Sequence, residues 1–126
     1  MKIWLDAGHG GKDPGAMAGG VKEKDLTLDI DNRLAQLLKN NGAKVYRTRT
    51  NDKTVDPSPR AAAIKNSGAD SCISSHINAG GGEGVEILIS KYNNGNLAEE
   101  ILKELQALGL KSRGIKKRLL KNGVDY

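Results

Sequence analysis

Short apolar runs alternate along this chain with stretches whose apolar residues repeat at helical spacing, and this alternation constrains the fold more than any other feature. Strand-like runs occupy residues 2–5, 44–48, 71–75 and 85–89, and helical patterns occupy residues 26–40, 60–67 and 97–108. Strands separated by helices favour right-handed crossovers and parallel pairing. We therefore predict one α/β domain over residues 1–126, with a mainly parallel, twisted sheet and helices on both faces.

The first long helix has the clearest pattern. Its predicted apolar face consists of Ile30, Leu34, Leu37 and Leu38. Gly42 suits the C-terminal cap of this helix, because glycine adopts the left-handed conformation without steric cost. Pro57 and Pro59 are predicted to break the chain before the second helix.

Composition limits the classes of partner. The net charge of +5 and a pI near 9.4 favour polyanionic surroundings, which include nucleic acid, a membrane surface and an acidic cell wall. No stretch approaches the roughly 20 apolar residues of a membrane span, so none is predicted. Cys72 is the only cysteine, which excludes an internal disulfide, and its apolar surroundings predict a small buried side chain.

The two histidines of the chain each follow a predicted strand. His9 lies in DAGHGGKDPG at residues 6–15, and His76 lies in SSHINAG at residues 74–80. Because ligands of open α/β sheets bind beyond the carboxyl ends of the strands, we expect both imidazoles at one rim of the sheet. Glu23, just before the first long helix, is placed to return to this rim, although it also fits a solvated charge cluster at residues 22–25.

Two imidazoles and a carboxylate form a ligand set suited to zinc, and three protein ligands leave a fourth position open for water. An open position favours catalysis over a structural role. The glycine-rich loop does not match a phosphate-binding loop, since Gly11-Lys12 is followed by Asp13 and not by serine or threonine.

Several motifs in fixed order carry a resemblance to a known family. They are LDAGHGGKDPGA at 5–16, KEKDL at 22–26 and SHINA at 75–79, with shorter matches at 48–50, at Arg60, at 84–86 and at 113–115. The chain resembles the zinc-dependent N-acetylmuramoyl-L-alanine amidases of the Amidase_3 type. The resemblance implies one Zn²⁺ held by His9, Glu23 and His76, with water in the open position. It also implies hydrolysis of the amide bond between N-acetylmuramic acid and L-alanine in peptidoglycan.

The chain departs from the family pattern in two places. Ala7 stands where the family usually has proline, which alters the stiffness of the loop and not its ligands. The family also continues beyond the equivalent of Tyr126 into a strand whose Glu-x-Gly-Phe-like motif carries the general base. We therefore expect a catalytic domain truncated at its C-terminal end, with an uncovered sheet edge that favours self-association. The alternative is a catalytically impaired fragment that binds zinc and the wall.

Three further side chains are candidates for the chemistry or for substrate contacts. Glu86 is a candidate catalytic residue because it is acidic, lies in a predicted strand and matches a family motif, but it also suits pairing with a basic neighbour. Asn78 and Arg60 are candidate substrate-binding residues; the alternatives are a turn former and a solvated helix-start residue.

The resemblance implies peptidoglycan, both stem peptide and glycan, as partner. The basic residues at 111–121 suit anionic wall polymers, or a solvated face. A remoter alternative is a basic nucleic-acid-binding module, but one Trp, three Tyr and no Phe leave little for base stacking, so no nucleic acid is expected. Without a signal peptide before the first strand, the sequence suits a phage endolysin released from the host cytoplasm, or a secreted autolysin that lacks its signal.

Overall fold

The computed structural model describes residues 1–118 of the chain. These residues divide into two units, the first spanning Met1–Gly80 and the second beginning at Gly81. The strands are β1 (Lys2–Ala7), β2 (Met17–Ala18), β3 (Val21–Lys22), β4 (Lys44–Arg47), β5 (Ser71–Ser75), β6 (Val85–Ile89) and β7 (Ser112–Lys117). The helices are α1 (Glu23–Asn40), α2 (Pro57–Asn66) and α3 (Asn96–Ala107). Among the residues described, no helix is long and apolar enough to cross a membrane.

The first unit is built on a parallel three-stranded sheet of order β4-β1-β5. Alternate residues of β1 point to opposite faces, and Ile3 and Leu5 pack against Ala35 of α1. The partly buried side chains around this core are Leu34, Leu38, Ala43, Val45 and Ile73. The central strand therefore has one face covered by α1, and its carboxyl end at Ala7 leads directly into the glycine-rich loop.

The face of this sheet opposite α1 carries a row of three neighbouring side chains. Trp4 stacks on Tyr46 with ring centroids 5.9 Å apart, and Cys72 is the register partner of Trp4 on the other side. Cys72 is exposed, so the prediction of a buried cysteine is wrong. Strand alternation gives the reason, because Ile73 takes the core-facing position and Cys72 takes the opposite one.

The second unit contains the parallel pair β6-β7 with α3 packed against both strands. Ile87 pairs with Ile115, and the register shifts between Val85 and Ile87. Strand β7 was not predicted. Ile115 is its single apolar residue, and one apolar residue among charged ones gives no strand pattern.

The prediction of an α/β fold with mainly parallel strands is confirmed, and β5 and β6 have the predicted bounds. The strands are divided between two parallel sheets where one was predicted, and the short antiparallel pair β2-β3 was missed. Helix α2 begins at Pro57, so the prediction that the prolines precede the helix is wrong. Proline is tolerated in the first helical turn, where its missing N–H has no partner to lose.

The buried stripe of α1 matches the predicted one only in part, at Leu34 and Leu38. Thr27, Asp31 and Ala35 are buried, whereas Leu37, predicted to lie in the core, is 60% exposed and Ile30 is exposed as well. Gly42 has the predicted role, with a left-handed φ of 80° directly after the C-cap residue.

Candidate metal centre

The two histidines lie where neighbouring parallel strands end. Strand β1 ends at Ala7 and β5 ends at Ser75, so His9 and His76 follow within two residues. The backbone N–H of Gly8 donates to the carbonyl of Ser75 at 3.0 Å, which joins the two loop entrances. The prediction that both imidazoles lie at one rim is confirmed.

Glu23 is the first residue of α1, three residues before the predicted start of this helix. No side chain caps the N-terminus of this helix; instead the Glu23 N–H donates to the carbonyl of Ala16 at 2.9 Å and the Lys24 N–H donates to that of Pro14 at 3.1 Å. The glycine-rich loop thus satisfies amides that the first helical turn leaves free. Because the same loop also carries His9, these hydrogen bonds fix the Glu23 backbone close to His9.

The side chains of His9, Glu23 and His76 converge. The Glu23 Oε1 atom lies 3.1 Å from His9 Nε2 and 3.0 Å from His76 Nδ1. The imidazole centroids are 5.0 Å apart with their planes at 81°, and one ligand atom from each of the three residues lies within 4.8 Å of the others. The structure therefore brings together the three residues that the sequence indicated as candidate metal ligands.

The hydrogen bond between His9 and Asp13 makes this cluster suited to a cation. The His9 Nδ1 atom lies 2.8 Å from a carboxylate oxygen of Asp13. A neutral imidazole carries one N–H, so an Nδ1–H that donates to Asp13 leaves the Nε2 lone pair facing Glu23. A metal ion held by His9 and Glu23 would relieve this lone-pair repulsion, and a carboxylate behind a ligating histidine is the usual arrangement at zinc sites. The residues present therefore fit zinc.

Glu23 is held as an anion although it is only 5% exposed. Burial by itself raises the pKa of this carboxyl, but the Ala16 and Ile77 amides donate to it at 2.8 Å each, and with the His76 hydrogen bond they outweigh burial. The net effect is a pKa of Glu23 below its ordinary value. An ionised carboxylate is the form that binds a metal ion.

Two glycines leave room for these side chains. A Cβ atom on Gly8 would lie 2.5 Å from Cε1 of His76, and one on Gly15 would lie 2.6 Å from Oε2 of Glu23. Gly15 also has a φ of +66°, which disfavours any other residue. The glycine spacing of the loop is therefore a packing requirement of the cluster.

Arg60 lies at the same rim. Its guanidinium is 3.1 Å from Oδ1 of Asp6 and donates to the carbonyl of His9 at 3.2 Å. It donates further to the carbonyls of Ala7 and Val55. These bonds tie α2 to the His9 loop; a substrate contact for Arg60 stays a prediction.

The other two candidates are Glu86 and Asn78. In the second unit, Glu86 pairs with the Lys116 ammonium and lies 3.8 Å from Nη2 of Arg113. This is the pairing with basic neighbours that the sequence left open, and a catalytic role for Glu86 stays a prediction. Asn78 is an exposed residue of the loop after β5, and its substrate contact likewise stays a prediction.

Sequence reasoning assigned no role to Asp13 or Arg49. Asp13 stands four residues after His9, and this spacing was a usable signal for a partner of the imidazole. Arg49 belongs to the Thr48-Arg49-Thr50 match, yet nothing in that tripeptide indicates that its guanidinium is buried among the loops of the cluster.

Comparison with known proteins gives a consistent result. Residues 3–122 match the family described as N-acetylmuramoyl-L-alanine amidase, Amidase_3. The sporulation-specific N-acetylmuramoyl-L-alanine amidase of Bacillus subtilis (strain 168) is 45% identical over 91 residues, which cover 71% of this chain and 36% of that protein. The endolysin of Bacillus phage SPP1 is 37% identical over 125 residues, covering 90% of this chain and 46% of the endolysin.

A solved structure of Cwp6 from Clostridium difficile superposes with a TM-score of 0.91 at 37% identity, over 99% of this chain and 21% of that one. The chain thus spans less than half the length of each of these three proteins.

Proposed function

Since this chain belongs to the Amidase_3 family of N-acetylmuramoyl-L-alanine amidases, we propose that it hydrolyses the amide bond between N-acetylmuramic acid and L-alanine in peptidoglycan. One zinc ion would be held by His9, Glu23 and His76. The observation that carries the proposal is the convergence of two imidazole nitrogens on a single buried carboxylate oxygen, at 3.0 and 3.1 Å.

Zinc, when bound, polarises the scissile carbonyl and lowers the pKa of a bound water. The residues of the chain prepare the site for that chemistry. Asp13 orients His9 so that Nε2 faces Glu23, and the Ala16 and Ile77 amides keep Glu23 ionised. In the reaction the oxygen of water bonds to the lactyl carbonyl carbon, the C–N bond breaks and the alanine nitrogen leaves with a proton.

The charge of the chain and the names of its relatives support a wall substrate and action at the cell wall. A net charge of +5 suits a wall rich in anionic polymers, beside the stem peptide and glycan that carry the amide. Relatives that include a phage endolysin and a sporulation-specific amidase support action on the cell wall, as an endolysin or as an autolysin.

Release of new alanine N-termini from purified peptidoglycan tests the proposal. We expect release by the wild-type chain, loss of release after chelation and recovery when Zn²⁺ is added back. Glu23→Gln should reduce release to background, because it removes the anionic ligand, whereas Glu100→Gln, a matched change at an exposed position of α3, should leave it unchanged.

One result would contradict the zinc site, and another would contradict hydrolysis. Release that persists after chelation, and in Glu23→Gln, would contradict the zinc site. Tight zinc binding without any release would contradict hydrolysis by this chain and leave a fragment that binds zinc and the wall.

A further inference from the structure

Arg49 is a buried cation that the proposed reaction does not use. It follows β4 and is 1% exposed. No ion pair includes it within residues 1–118; its guanidinium donates to oxygens that are nearly all main-chain carbonyls. The acceptors are the carbonyls of Ala7 (3.1 Å), Gly8 (3.0 Å), Lys24 (2.7 Å) and Asn51 (3.3 Å), and the hydroxyl of Thr27 (3.1 Å).

These acceptors belong to the segments that carry the converging side chains. The Gly8 carbonyl belongs to the peptide that precedes His9, and the Lys24 residue directly follows Glu23. A single nitrogen of Arg49, Nη2, donates to both carbonyls. The Gly8 N–H in turn donates to Ser75, the residue before His76.

The chemistry of arginine explains why this residue type stands here. Burial disfavours the charge and lowers the pKa of Arg49, while nearby Asp52 opposes that shift. The N-terminal turn of a helix is also an unfavourable place for a cation. The guanidinium offsets these costs because its five N–H donors lie in one plane and reach several fixed carbonyls at once. A lysine ammonium cannot reproduce this arrangement.

We propose that Arg49 is a positioning residue, which sets the distance between the His9 loop and the first turn of α1 so that the metal ligands are in place before the metal binds. This inference rests on the proposed function only in taking His9 and Glu23 as ligands. Its direct consequence is a preorganised metal-free site.

Zinc affinity of Arg49→Lys, measured by competition with a chromophoric chelator, tests the proposal. We expect the dissociation constant for Zn²⁺ to rise by about 10- to 100-fold, the range usual when an outer partner of a metal site is removed. Arg47→Lys is the matched control: Arg47 is half-buried in the same segment but donates to Asn32, away from the ligand loops, so its zinc affinity should stay within about twofold of wild type.

A second measurement separates positioning from plain stabilisation. Since the chain has only two histidines, nitrogen-detected NMR of the metal-free protein reports on their rings individually. Arg49→Lys should shift the His9 ring signals, and Arg47→Lys should not. Unchanged zinc affinity together with unchanged His9 signals would overturn the proposal, even where Arg49→Lys lowers the melting temperature.

If wild-type protein binds no zinc, the proposed function fails, and the His9 signals of the metal-free variants alone decide whether Arg49 positions the loop. If Arg49→Lys does not fold, Thr27→Val replaces it, because valine keeps the shape but removes the hydroxyl that links Arg49 to the Gly8 carbonyl. Wild-type zinc affinity and His9 signals in Thr27→Val would then overturn the proposal.

Discussion

At the scale of single residues, Asp13 controls which nitrogen of His9 faces Glu23. Its carboxylate lies 2.8 Å from Nδ1, and this hydrogen bond with His9 lowers the pKa of Asp13, as does the donor bond from the Gly15 amide. The residue is exposed, so the contact contributes orientation more than stability.

We therefore expect Asp13→Asn to weaken zinc binding by about 10-fold or more with little change in the unfolding free energy. Asp29→Asn, which alters an exposed ion pair with Arg33 four residues away in α1, is the matched control and should change neither quantity. Chelator competition and urea unfolding of both variants check this. Equal zinc affinity in the two variants would show that Asp13 does not orient His9.

Asp31 illustrates a different residue-scale effect. It is fully buried; Oδ1 accepts a hydrogen bond from the Ser75 hydroxyl at 3.0 Å, and Oδ2 has no partner within the described residues. Burial raises the pKa of this carboxyl more than Ser75 and Arg47 lower it. The folded protein therefore holds the proton more tightly than the unfolded chain, and stability falls as the pH rises from the ordinary pKa of aspartate through the raised one.

We expect Asp31→Asn to be more favourable at pH 7 than at pH 4, with a relative gain of about 1 kcal/mol in unfolding free energy at the higher pH. The neutral amide keeps the Ser75 contact and removes the buried charge. Urea unfolding at both pH values measures the difference. A variant that changes stability equally at both values would mean that Asp31 does not titrate differently in the folded state.

At the scale of elements, helix α1 shows which features of a helix the sequence predicts and which it does not. Apolar periodicity predicted its existence, its C-terminal end and the core contacts of Leu34 and Leu38. It missed the rest of the buried stripe, because the buried positions Thr27 and Asp31 are polar. They are buried to hydrogen-bond Gly8 and Ser75, the residues beside the two histidines. The predicted start of α1 was also wrong. The amides of its first turn donate to main-chain carbonyls of the preceding loop, and a capping interaction of that kind cannot be identified from side-chain types.

The loop that precedes α1 offers a matched pair of glycine substitutions. Gly15 and Gly19 both have positive φ, +66° and +55°, but an added Cβ meets Glu23 and His9 at Gly15 and nothing within 4 Å at Gly19. We expect both alanine variants to lose about 1 kcal/mol of stability from backbone strain. Only Gly15→Ala should also lose zinc binding, because the methyl group displaces Glu23.

Thermal unfolding with and without Zn²⁺ compares the two variants. The zinc-induced rise in melting temperature should persist in Gly19→Ala and vanish in Gly15→Ala. A full rise in both would contradict the view that the glycine-rich loop leaves room for the metal ligands.

At the scale of the whole molecule, family membership was predictable because several motifs occur in one order along most of the chain. His9, Glu23 and His76 were nominated from their places at predicted strand ends and beside a helix start, and the structure brings them together. The role of Arg49 was not predicted. A buried arginine that binds main-chain carbonyls can have acceptors of any residue type, so the sequence shows no characteristic spacing.

The charge of the molecule leads to an expectation for wall binding. With a net charge of +5, attraction to anionic wall polymers should weaken as salt screens it, over a range from about 0.05 to about 0.5 M. Co-sedimentation with purified walls, with and without their anionic polymers, measures this. Binding that is insensitive to salt on intact walls would mean that the positive net charge of the chain does not contribute.

The zinc content of the purified protein shows whether His9, Glu23 and His76 together hold one zinc ion. Mass spectrometry of metals in wild-type protein equilibrated with Zn²⁺ and freed of excess should give one zinc per chain, and His76→Ala should give close to none. Wild-type protein without zinc, or His76→Ala with a full equivalent, would contradict a zinc site made of these three residues.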